Sequence, residues 1–357
     1  MGAQVKTPRF YVDIPTFLHA TGQVGWDDSN GGAELLYMNP SNPYIKEVGT
    51  SEAHEVCAIG HWNKNTTKTS FPVNFCALLN HNLGFNTKKF QVFGKHGLTS
   101  ETTEVIFNPV NEILNSNHEG DLIDPTYNGT TIFDFTSTDE YWRNFSIYYN
   151  SSNPIDEGKH QLGSMVLGRY WDAPNSPDLS LTMSRRFEGI KTKKTMGGKT
   201  LSNIYYDGPT EWTMNAFGDT YKYPPFELDT TSRDGSANNF NQIPKSGLGR
   251  KGLRSWNLTF SYISEDNMWM ENEVSNTLTS DDVTPNDDIP NPMLTDDSFN
   301  FVWNCTLGGT LPFIFQPDKT NNNPDQFSIC TFNQKTLSVQ QVAYNTYTLS
   351  ITIDEVA

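Results

Sequence analysis

Apolar residues recur along this chain mostly at every second position, in short stretches, and hardly anywhere at the three-to-four spacing of a helix. The clearest stretch is V-N-F-C-A-L-L at residues 73–79. Val73, Phe75, Ala77 and Leu79 share one face of an extended strand, and Cys76 and Leu78 make the other face apolar too. Such a strand is expected to be covered on both sides. Residues 55–61, 89–93, 103–107, 130–135, 141–149 and 165–167 read as its companions. The apolar run at 9–18 is broken by Pro15 and reads as a strand starting on a sheet edge, since proline offers no N–H to a central ladder. Residues 108–128 are polar and rich in turn formers.

W-D-A-P-N-S-P-D at 171–178 reads as a stiff connector, which divides the chain into 1–175 and 176–357. Leu179, Leu181 and Met183 then alternate into a basic run, with 202–206 as the returning strand of a long hairpin. Residues 210–217 fit either a helix or a strand, and 221–251 read as a long loop. In 255–263, Trp256, Leu258, Phe260 and Tyr262 face away from Ser255, Asn257, Thr259 and Ser261, so one side of that strand is wet. Residues 299–303, 311–315, 327–332, 336–342 and 347–353 add five strands. The expected fold class is all-β: two β-sandwich or barrel domains with long loops and hairpin arms.

Charge sharpens this picture. A net charge of -16 argues against sequence-independent nucleic-acid binding, which needs clustered cations to release counterions. One segment runs the other way: Arg185, Arg186, Lys191, Lys193, Lys194 and Lys199 fall within 185–199. Residues 264–298 are acidic, with Asp281, Asp282, Asp287 and Asp288 among them and no lysine or arginine. These two arms are the candidate partner contacts. No apolar run nears the roughly 20 residues that span a bilayer, so no membrane insertion is expected, and the first twenty residues lack a signal-peptide pattern. Cys57, Cys76, Cys305 and Cys330 lack zinc spacing and read as small buried residues.

After residue 79 the chain continues N-H-N-L-G, and further on come Y-W-R at 141–143 and L-G-S-M-V-L-G at 162–168. This order resembles discoidin-like jelly-roll modules of uncharacterised tail proteins from tailed bacteriophages. Gly249-Arg250, Ser255-Trp256, L-P-F-I-F-Q-P-D at 311–318 and I-D-E-V at 353–356 resemble the C-terminal half of the same proteins. The resemblance implies a discoidin-like jelly roll over 1–175. It also implies a structural role in a virion, in the tail or baseplate, after synthesis in the host cytoplasm. Partners would be further copies of the chain and other tail proteins. A carbohydrate-binding role in host recognition is the alternative, with Trp62, Asn80, His81 and Asn82 as the candidate ligand loop.

The residues point to no enzyme. None of the seven histidines has metal-ligand or catalytic spacing, and H-E-x-x-H, G-x-S-x-G and phosphate-loop patterns are absent. The paired aspartates adjoin in sequence, whereas glycoside hydrolysis needs carboxyls opposed across a substrate. His81, between two amides at a strand end, reads first as a hydrogen-bonded turn residue. No catalytic residue, metal or cofactor is expected.

Overall fold

The structure, a computed structural model, describes residues 5–22, 25–26, 35–38, 44–48, 55–62, 69–81, 83, 89–95, 104–126, 129–135, 144–149, 158–186, 190–204, 252–271, 289–290 and 292–356. It is mainly β, with large antiparallel sheets. One sheet has eleven strands, and ten of them lie in a single line. In spatial order these are Thr182–Arg186, Leu253–Ser264, Thr346–Glu355, Ser328–Phe332, Phe313–Gln316, Arg9–Asp13, Ser164–Asp172, Phe75–His81, Gly129–Phe135 and Pro109–Leu114. Val339–Ala343 pairs with the near end of Thr346–Glu355. A second sheet of seven strands is built around Phe90–Lys95, Asn144–Tyr149 and Glu55–Trp62.

The central strand Phe75–His81 is buried at every position, as its two apolar faces require. Cys76 and Leu78 point into the sandwich with Phe133, Phe90, Phe145 and Ile147. Phe75, Ala77 and Leu79 point the other way, to Tyr11, Ile132, Val166 and Ile314. Rings tie the two sheets together, with Phe90 and Phe133 centred 6.4 Å apart and Phe107 and Phe135 at 4.6 Å. Cys76, Cys305 and Cys330 are buried free thiols, while the Cys57 side chain lies outside the described residues.

The run at 9–18 is not an edge strand. Arg9–Asp13 lies inside the large sheet, paired antiparallel with Ser164–Asp172 on one side and Phe313–Gln316 on the other. Through it the sheet passes from the strands of residues 1–175 to those of 176–357. Pro15 causes no conflict, because the strand ends at Asp13 and the proline sits in the first turn of the helix Ile14–Ala20, where a missing N–H costs nothing. Asp13 caps that helix, accepting from the Thr16 amide and, at 2.6 Å, from the Thr16 hydroxyl. The partner strand has Gly168 opposite Asp13, and a Cβ there would lie 2.2 Å from the Val12 carbonyl oxygen. Only glycine permits this approach.

Three other expectations change. Residues 299–303 form not a strand but the helix Phe299–Cys305, which buries Phe299, Phe301, Val302 and Cys305 on the large sheet. The polar stretch 108–128 contains Pro109–Leu114, Asn117–Glu119 and Leu122–Asp124, with Gly120 at φ 64 in the turn between the last two. In Leu253–Ser264 the predicted alternation holds for Trp256, Leu258 and Phe260 but not for Tyr262. A register shift against Thr346–Glu355 puts Tyr262 at φ 63 and 77% exposed, and Ile263 is buried in its place. Predicted segments 210–217 and 221–251 lie outside the described residues.

Candidate functional site

The basic run is a projecting ribbon. Thr182–Arg186 is the edge strand of the large sheet, pairing with Leu253–Ser264 from Thr182 opposite Asn257 to Arg186 opposite Leu253. Four residues later the chain forms a two-stranded hairpin, Ile190–Lys194 against Thr200–Ile204, closed by Thr195 to Lys199. Gly198 takes φ 79 in that turn, and its amide donates to the Thr195 carbonyl at 2.9 Å. Every residue of 192–201 is exposed, including Lys193, Lys194, Lys199, Leu201 and the tip residue Met196. Of Lys191 the backbone pairing alone is described, opposite Asn203. A two-stranded ribbon in water is marginal by itself, and over this span the ribbon buries neither face.

Asn80 and His81 are built inward. Against Gly129–Phe135 the register slips at Asn80, which takes φ 54, a backbone region that asparagine tolerates better than most residues. His81 is thereby carried into the interior, fully buried. Its Nδ1 accepts the Leu83 amide at 3.1 Å, so Nε2 carries the proton and donates to Thr131 Oγ1 at 2.8 Å. Thr131 in turn donates to the Asn115 carbonyl at 3.1 Å. Burial pushes the His81 imidazole down to about 3, which keeps it neutral. Both ring nitrogens are engaged, and Asn80 is buried beside them. Trp62 ends the strand Glu55–Trp62 opposite Gly25, with its side chain outside the described residues, as is Asn82.

Two charged clusters hold the sheet. Arg9 donates to both carboxylate oxygens of Asp172, at 2.6 and 2.9 Å, while its guanidinium lies 3.8 Å from the centre of the Tyr170 ring. Lys319 reaches the same carboxylate at 3.1 Å. Burial alone would raise the Asp172 carboxyl, but these cations outweigh it and hold it below the ordinary range. Further along, Arg254 spends its donors on Glu355, the carbonyls of Asp325 and Phe327, and Ser328. Beside it is a polar recess of about 180 Å³, lined by Ser184, Arg186, Asn333 and Asp354 among others. Ser255 and Asn333 occupy the Asp354 oxygens at 2.5 and 2.6 Å. The side chains lining this recess are tied into a structural network.

The sites expected from sequence do not converge. The ribbon is at one edge of the large sheet and His81 is inside the sandwich, while Asp281, Asp282, Asp287 and Asp288 lie outside the described residues. Among the described residues no group of three or more histidine, cysteine, aspartate or glutamate side chains could hold a metal ion. No helix among them is long and apolar enough to cross a membrane.

The fold defines a class: a mainly β protein with large antiparallel sheets, in which one long sheet carries a sandwich at one end and a basic ribbon at the other. No family model matches the chain, and no curated protein matches it. Among solved structures, a match is CBM32-1 from a family 31 glycoside hydrolase of Clostridium perfringens, at 11% identity and a TM-score of 0.25. It covers 41% of this chain and 89% of that module.

Proposed function

We propose that the chain is a non-catalytic structural component of a tailed-phage virion, in the tail or baseplate. In this reading several copies hold one another and neighbouring tail proteins through the basic ribbon. The observation that carries it is the ribbon's exposure: every residue of 192–201 is exposed, among them three lysines and two large apolar side chains. A chain of net charge -16 that concentrates cations on one projection has a ready electrostatic handle for an acidic protein partner. The virion setting is supported by the order of the motifs at 80–84, 141–143, 162–168 and 311–318.

Mass spectrometry of purified phage particles tests this reading. Stoichiometric recovery of the chain in the tail fraction supports it, and absence from washed particles overturns it. Adhesion to a host-surface glycan is the competing reading, the one a likeness to a module of a glycoside hydrolase suits. With Asn80 and His81 buried, a sugar would have to meet other loops. Saturable binding of the full chain on a glycan array would replace the structural role with the adhesive one.

A further inference from the structure

The large sheet is electrically lopsided. At one end are the edge strand Thr182–Arg186 and the ribbon, with Lys193, Lys194 and Lys199 exposed. At the opposite end is the edge strand Pro109–Leu114, against which the hairpin strand Asn117–Glu119 packs. Residues 109–124 contain Glu112, Glu119, Asp121 and Asp124 and no lysine or arginine. The Glu112 and Glu119 side chains are 54% and 80% exposed. Lys89 bonds Glu119 at 2.7 Å, and His118 lies 3.7 Å from Glu112, which offsets part of the charge and leaves the end acidic in sum.

We infer that the ribbon of one copy docks on the acidic end of the next copy's sheet. The inference rests on the assembly role proposed above and adds to it the partner and the seat. Distance argues for a second copy. Ten strands in line leave nine gaps, which at about 4.8 Å each put the two edges roughly 40 Å apart as measured across the twisted sheet. Five paired residues in each ribbon strand extend about 17 Å. With residues 192–201 all exposed, the ribbon is not seated on the acidic end of its own sheet, while another molecule can bring that end to it. Because the two patches differ, the contact is heterologous, and repetition closes a ring or extends a filament.

Paired charge reversals in the full chain test the inference. One variant carries Lys193→Glu and Lys194→Glu, the other Glu112→Lys and Glu119→Lys. Sedimentation velocity at low salt reads association, and circular dichroism checks the fold. Each variant alone is expected to self-associate at least tenfold more weakly than the parent. An equimolar mixture is expected to recover association, because every ribbon then meets a seat of opposite sign. Misfolding of either variant would give no such recovery. A parent chain that stays monomeric at low salt overturns the inference, as does an acidic-end variant that associates like the parent. Recovery of the chain from particles is read separately, so the structural role can stand if this seat is wrong.

Discussion

The strand Arg9–Asp13 and the ribbon of residues 190–204 are both short, and the chain treats them in opposite ways. Phe10 has no exposed surface and lies 5.1 to 5.7 Å, centre to centre, from Trp171, Phe313 and Phe315. Arg9 on the same strand is clamped to Asp172, and Tyr11 donates to Gln316 at 2.8 Å. Every side chain there is spent inside the molecule. Along residues 192–201 every residue is exposed, and the Thr195 hydroxyl, bonded to Lys199 across the turn, serves the hairpin alone. In the proposed reading a segment that contributes so little to its own core serves what it meets outside, and the difference separates residues that hold the fold from those assigned to assembly.

Breaking the buried strand should cost most. Phe10→Ala removes a ring from the junction of two halves, and a loss of about 3–5 kcal/mol is expected in chemical denaturation. Because one sheet crosses that junction, both halves should unfold in one transition. His81→Ala comes next, at about 2–4 kcal/mol, because it leaves the Leu83 amide and the Thr131 hydroxyl without their buried partner.

The pH response is smaller and has two opposing parts. Burial lifts the Asp13 carboxyl to about 7, from an ordinary 3.8. Its contribution is thus fully present below about 4 and is lost as pH rises through 7. His81 runs the other way: its pKa falls from 6.5 to about 3, so its contribution is full above 6.5 and is lost as pH falls toward 3. Thermal melts between pH 4 and 7 should therefore be flatter in the parent than in Asp13→Asn, which removes only the first part and should lose stability on acidification. Least affected in stability is the ribbon. Lys193→Glu with Lys194→Glu should move the unfolding free energy by less than about 0.5 kcal/mol, as exposed substitutions do, while abolishing association.

The same contrast governs what was legible in the sequence. Phe75–His81 declares itself, because burial on both faces forces an unbroken apolar run. The basic hairpin was legible because Lys193, Lys194, Lys199 and the glycines at 197 and 198 are local signals. Arg9–Asp13 misled because Pro15 punctuates the run, and the cue that resolves it, Asp13 as a cap two residues before a proline, gains weight only once the strand is known to end there. Phe299–Cys305 alternates like a strand, and packing against the sheet, not local spacing, makes it helical. The seat at Glu112 and Glu119 was hidden in a stretch read as turns, because its acidity matters only when those residues come together at one sheet end. That His81 is hydrogen-bonded was legible from its place at a strand end, but its burial and its partners Leu83 and Thr131 were not, because the slip at Asn80 that produces them depends on the neighbouring strand.

Sedimentation velocity of the full chain across a salt series tests the central claim, that a charged ribbon joins copies of this protein. Two copies of net charge -16 repel each other overall, so without a specific opposite-charge contact added salt would favour association. The expected result has the reverse sign: oligomers at low salt that dissociate as salt rises, and none at any salt once Lys193 and Lys194 are glutamate. Association that strengthens with salt, or that survives reversal of the two lysines unchanged, would contradict it.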